Sequence, residues 1–277
     1  MRVLKIVFDF YLNSSIHVAL AVYALSWITL KEFDLEYDED MLYFNFYATI
    51  SGYNFVKYFG LSKFHHRSLA SWLKAIQVFS FLCFLALGYY AFKLETKTLF
   101  WIFGFGVVTF LYAIPFLPKH LFLDQHQNLR GISGLKVYII ALVWSGVTVL
   151  LPLINHDFSL NYDVVITFVQ RFLLVIVLML PFEIRDMKFD SLKLSTIPQQ
   201  IGVIKSKAFG LFILIIFLLL EYFKNSTNSN VILIQLGISA ITALSVIFAF
   251  KSQGKYYSAF FVESIPIIWL LLLIVLC

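Results

Sequence analysis

Along the chain, long continuous apolar runs alternate with short polar stretches. A helix needs about 20 mostly apolar residues to cross a bilayer. Nine windows approach or reach that length: roughly Ile6–Leu30, Met41–Tyr58, Trp72–Phe92, Thr98–Leu117, Gly134–Leu153, Val164–Phe182, Ala208–Phe223, Val231–Phe250 and Tyr256–Val275. The second and seventh are the shortest. None alternates apolar and polar positions as a barrel strand does, so each predicts a helix. The expectation is an all-α polytopic membrane protein, a single domain over residues 1–277, with nine transmembrane helices around a central cavity. The longer polar segments, residues 59–71, 118–133 and 183–207, follow the second, fourth and sixth windows.

Charge gives these windows a direction. Sixteen of the 21 basic residues fall on the side of the N-terminus, four on the other (Lys31, Lys93, Lys97 and Lys224), and Arg171 lies within the sixth window. Lys and Arg accumulate in cytoplasmic loops. This predicts a cytoplasmic N-terminus and an outside C-terminus, in a plasma or bacterial inner membrane. The acidic run Glu32–Asp40 then falls outside. Ala19-Leu20-Ala21 resembles a signal-peptidase site, but the first window is long and broken by Asp9, Asn13 and His17, so it reads as a retained helix.

Composition agrees. The chain is 61% hydrophobic and 13% charged, with mean hydropathy +0.86, whereas soluble domains run near 45–50% and about 25%. That excludes a soluble enzyme and a nucleic-acid binder, and the net charge of +5 reads as topology. Cys83 and Cys277 offer no disulfide framework and no metal site. Asn225-Ser226-Thr227 matches a glycosylation sequon and reads as a polar loop.

Candidate chemistry lies after the sixth window. If its helix continues, Glu183, Asp186 and Asp190 sit at i, i+3 and i+7 on one face. Mg²⁺ is typically held by one or two carboxylates together with substrate phosphate oxygens, which this face would suit. A solvated helix end fits as well, since Arg185, Lys188 and Lys193 are interleaved. Within the windows, Arg171 lies about 16 Å from Phe182 at 1.5 Å per residue. Ionisable groups in a membrane are costly and usually paired or pathway-lining. Arg171 is therefore expected to face the cavity with Glu263 as partner, or to form an internal ion pair without a ligand.

The stretch from Glu183 to Lys205 resembles the second aspartate motif of the UbiA superfamily of intramembrane prenyltransferases, approximately D-x-R-D-x-x-x-D followed by T-[LI]-P/A-x-x-[LI]-G-x-x-K. Glu183 stands in for the first Asp, and Arg185, Asp186, Asp190, Thr196, Gly202 and Lys205 fall on the pattern. The segment Leu111-Tyr112-Ala113-Ile114-Pro115-Phe116-Leu117-Pro118-Lys119 is similar to the family's Tyr-then-Lys segment. The first aspartate motif, N-D-x-x-D-x-x-x-D in the family, departs. With Asn54 on its Asn, the acidic positions become Phe55, Tyr58 and Ser62, and no Asp or Glu occurs between Asp40 and Glu95. The polar segment there carries Lys57, Lys63, His65, His66 and Arg67, and an adjacent His pair with no third ligand is not a metal site.

The resemblance implies a UbiA-like bundle and transfer of a polyprenyl chain from its diphosphate to a lipophilic acceptor. It implies one Mg²⁺ site at Glu183, Asp186 and Asp190, and diphosphate contacts at Asn54, Lys57, Arg67, Tyr112, Lys119 and Lys205. Without the first motif, Lys57 and Arg67 are the groups left to supply fixed positive charge. The loss of those carboxylates also supports an alternative, a non-catalytic lipid-binding protein or membrane-complex subunit with protein partners. A transporter is a third class, without the internal inverted repeat such folds carry. Cysteine-accessibility labelling is expected to find Lys119→Cys and Lys188→Cys on the side of the N-terminus and Asp38→Cys opposite; positions 119 and 38 on one side would remove this topology.

Overall fold

The computed structural model describes residues 2–58, 71–113, 134–188, 195–225 and 229–276. Among them all regular structure is helical: α1 (Arg2–Asn13), α2 (Ile16–Glu32), α3 (Glu39–Tyr58), α4 (Ser71–Ala91), α5 (Thr96–Ala113), α6 (Leu135–Ser145), α7 (Leu151–Asn155), α8 (Tyr162–Asp186), α9 (Ile197–Ile201), α10 (Val203–Glu221), α11 (Ser229–Ile247) and α12 (Ile265–Leu276), with π-helical turns at Gly146–Leu150 and Tyr257–Val262. Among the described residues, helix occurs in each of the nine apolar windows. Six described helices are long and apolar enough to cross a membrane, and a seventh span forms if α1 and α2 act together. The expected count of nine also needs α3 and α5. α5 is short, and α3 is 20 residues long but carries Glu39, Asp40, Asn45, Asn54 and Lys57.

α8 is the central post, 25 residues or about 37 Å long at 1.5 Å per residue. It packs on α6, α10 and α11, while α12 packs on α2 and α11, and α3 joins α2 to α4. The main core is built from Leu174, Val177 and Leu178 of α8 with Leu25, Ile28, Phe217, Ile238 and Trp269 from its neighbours. α4 packs on α3, and α5 on α6 and α7; both leave many large apolar residues exposed, among them Leu82, Leu85, Phe100 and Phe103, as suits lipid contact. Gly146 lets α5 approach α6 closely: a Cβ there would come within 2.0 Å of the Phe105 ring.

Three interruptions shape the interior, each with identifiable causes. The first expected helix is two helices bent by 53°, because Ser15 sits in the left-handed region at φ 64°. Asn13, Ser14 and Ser15 are short polar residues that compete for backbone hydrogen bonds and favour such breaks. In a bilayer, the freed backbone groups need protein partners. α3 supplies them: Asn54 Nδ2 donates to the Ser14 carbonyl at 3.0 Å, Tyr58 OH to the Asn13 carbonyl at 2.9 Å, and Ser15 Oγ donates to Asn54 Oδ1 at 2.8 Å. The second interruption precedes Pro152, which has no N–H for the carbonyl one turn earlier. That carbonyl, on Thr148, accepts from Thr29 Oγ1 at 2.8 Å, and the Val147 carbonyl accepts from Asn45 Nδ2 at 3.0 Å.

The third precedes Pro266 and is braced by buried His17. The Phe260 carbonyl can only accept, so Nε2, at 3.0 Å, donates to it. In the neutral ring, Nδ1 then accepts from Tyr11 OH at 2.6 Å. Asn54→Leu removes the donor to the Ser14 carbonyl and the acceptor for Ser15. At about 1–3 kcal/mol per orphaned buried group, it is expected to cost about 2–6 kcal/mol. Thermal unfolding in detergent reads this directly, and an unchanged midpoint would show that the break does not depend on Asn54.

Candidate functional site: a cavity between the first, middle and last helices

The helices line a half-open cavity of about 1210 Å³, with residues from α1 to α6, α8 and the segment from Ala259 to Pro266. Most of the wall is apolar, with Phe81 and Phe84 of α4, Phe105 and Phe110 of α5, and Met179 and Phe182 of α8. Charge gathers at one end, where α3 and α8 finish and α6 begins: Lys57, Lys136, Arg185, Asp186 and Glu263 all line the cavity there.

Lys57 is positioned by the bend between α1 and α2. Its Nζ donates to Ser15 Oγ at 2.8 Å, so the hydroxyl bonded to Asn54 also aims the ammonium. It lies 6.0 Å from the Tyr53 ring centroid, and Tyr53 OH accepts from Trp144 Nε1 at 3.0 Å. Arg185 donates through Nε to Asp186 Oδ1 at 2.8 Å and through Nη1 to Ser258 Oγ at 3.3 Å. Its guanidinium carbon is 5.4 Å from the Phe182 centroid. Glu263 follows the last π-helical turn and faces Lys57 and Arg185 across the cavity, interacting electrostatically with both.

The residues expected from the sequence divide into groups. Lys57, Tyr112, Asp186 and Glu263 line the cavity. Asn54 also reaches the wall, but its amide is spent on Ser14, Ser15 and Ser80, which makes it a brace for the bend. Lys205 is exposed on α10 and is not among the lining residues. Arg67, Lys119 and Asp190 lie outside the described residues.

Arg171 departs from its expected place. It does not pair with Glu263: it is 1% exposed, donates through Nη1 to the Leu25 carbonyl at 2.8 Å and through Nη2 to Thr29 Oγ1 at 3.3 Å, and stacks 5.2 Å from the Trp269 ring centroid. Backbone oxygen, a hydroxyl and an aromatic face give it neutral partners inside the core. Asp9, the charged residue within the first window, meets Lys255 Nζ at 2.7 Å and Tyr256 OH at 2.9 Å.

α8 ends at Asp186, and Glu183 turns into the core at 1% exposure, where Lys136 Nζ approaches its Oε1 at 3.3 Å. Asp186 is held by Arg185. Among the described residues no group of three His, Cys, Asp or Glu side chains is arranged to hold a metal ion. Glu183 and Asp186 each have a basic neighbour, and Asp190, the third carboxylate of the expected Mg²⁺ site, lies outside the described residues. Lys136 and Arg185 were read from the sequence only as topology and motif; a lone Lys two residues after Gly134, at the start of an apolar run, is the one local sign of Lys136's role.

No protein-family model matches the chain, and no curated protein matches it. Among solved structures, the chain is similar to a digeranylgeranylglyceryl phosphate synthase in membranes, with TM-score 0.57 and 17% identity over 100% of this chain and 99% of that one. At that identity the likeness is one of fold. It supports an all-helical fold shared with that membrane protein along the whole chain.

Proposed function

We propose that the protein is a UbiA-like prenyltransferase that binds an isoprenoid diphosphate and transfers its chain to a lipophilic acceptor in the bilayer. The observation that carries this reading is a large cavity with a mostly apolar wall and a charged end at Lys57, Lys136 and Arg185, in a chain with the fold of a membrane prenyltransferase. The chain of the donor lies against the apolar wall, and its head meets the cations of the charged end. The similar structure, a digeranylgeranylglyceryl phosphate synthase, supports a prenyl donor here too.

A prenyl diphosphate carries about three negative charges, and its allylic C–O bond breaks readily only when they are neutralised; hydrogen bonds from ionised donors are roughly twice as strong as neutral ones. Lys57, held by Ser15, and Arg185, held by Ser258, are oriented before the substrate arrives, so little reorganisation accompanies binding. Aromatic faces at Tyr53, Trp144 and Phe105 line the same cavity and suit a developing carbocation. No step of this proposal runs through a metal ion. The non-catalytic alternative shares the fold and cavity and differs in outcome: binding without transfer.

Farnesyl thiodiphosphate, an unreactive donor analogue, is expected to bind the protein in nanodiscs with less than about threefold change on adding EDTA. Lys57→Gln is expected to weaken it at least about tenfold, or 1.4 kcal/mol. Calorimetry in which EDTA abolishes binding and Lys57→Gln does nothing would restore a metal-based site.

A further inference from the structure

Glu263 is the cavity carboxylate that neither the bundle nor the diphosphate site uses. Among the described residues no side chain or backbone group hydrogen-bonds to its carboxylate, and none forms an ion pair with it within 4.0 Å. Asp186 and Glu183, by contrast, are held by Arg185 and Lys136. The π-helical turn Tyr257–Val262 ahead of Pro266 shifts the register of the last helix, and Glu263 emerges from it on the cavity wall. The charged and titratable groups that face it are Lys57 and Tyr53 of α3, Arg185 of α8 and Tyr11 of α1. Glu263 is half-buried, and a carboxylate in a mostly apolar chamber without its own donor is a poor arrangement for stability, because withdrawing a polar group from water costs free energy unless it is hydrogen-bonded. It is a good arrangement for a ligand that brings an O–H.

We infer that Glu263 takes the proton from a hydroxyl of the acceptor as the prenyl chain is transferred, which makes that acceptor a lipophilic alcohol or phenol. This rests on the prenyltransferase reading. With the diphosphate between Lys57 and Arg185, the reacting carbon lies beside the carboxylate that faces both. In the step, the allylic C–O bond breaks and its electron pair leaves with pyrophosphate. The acceptor oxygen donates a lone pair to form the new C–O bond, and its proton passes to Glu263. No oxidant or reductant is involved. The negative charge beside the developing carbocation also favours it over the neutral donor, while opposing the bound anion slightly.

The test uses the full chain in nanodiscs, radiolabelled farnesyl diphosphate and a total lipid extract of the host membrane, scoring label in organic-soluble products other than free farnesol. Glu263→Gln is isosteric and loses no protein hydrogen bond, so folding is retained. Expected are a loss of label transfer of about 100-fold near neutral pH, partial recovery in Glu263→Asp, disappearance of the acidic limb of the wild-type pH–rate profile in the Gln variant, and farnesyl thiodiphosphate binding that is equal or tighter. Wild-type transfer with a Gln variant within about threefold of it overturns the role of Glu263 and leaves the prenyltransferase reading standing. Wild-type protein that neither binds the analogue nor transfers label overturns both.

Discussion

Within a bilayer, a backbone carbonyl that loses its helical partner has no water to turn to, and that constraint organises this protein. The helices break at Asn13–Ser15, before Pro152 and before Pro266, and all three breaks border the same cavity. Each is answered by polar side chains from another helix: Asn54 and Tyr58 at the first, Thr29 and Asn45 at the second, His17 at the third. These cross-helix bonds hold α2, α3 and the final helix in one arrangement. The cavity is the space that the broken helices cannot fill. Its chemistry follows from the same breaks, since the first aims Lys57 and the last presents Glu263.

Buried charge is handled by a second rule. Charges in the membrane interior are rare and usually engaged, and here nearly every one has a defined neighbour. Arg171 is satisfied by a carbonyl, a hydroxyl and an indole face. Glu221 accepts from Gln170 and Gln235 and pairs with Lys224. Glu183 meets Lys136. Such pairs are strongly destabilising to break, by about 3–5 kcal/mol, because one partner is left charged and alone. Against this background an anion without a direct partner, such as Glu263, stands out as a group reserved for something else.

The helices and their order could be read from hydropathy alone, because continuous apolar runs have few alternatives in a membrane. The bend at Ser15 was also written locally, in three short polar residues inside an apolar window, and Pro152 and Pro266 marked the other two breaks. What could not be read was which distant residue meets each break. Asn54 looked like a remnant of a diphosphate motif and is a brace. Glu183 fell on a metal-binding register, and the Lys136 that meets it lies on another helix. Arg171 and Glu263 were expected together because opposite charges attract; the neutral groups that hold Arg171 leave no charge signature in a sequence. α3 reads as a weak span in part because Asn45, Asn54 and Lys57, which lower its hydropathy, bond to other helices.

One hydroxyl, Ser15 Oγ, lies at the junction of two jobs. It donates to Asn54 and accepts from Lys57, so the backbone bend and the orientation of the cavity's ammonium share a single oxygen atom. Small drift at this position is therefore not separable into a folding effect and a ligand effect. Alanine would release both at once, and threonine would have to fit its methyl into a site where Ser15 is 1% exposed. Changing the ligand preference at this end without loosening the bundle means leaving Ser15 alone and working from the opposite wall, where Glu263 carries no such structural duty.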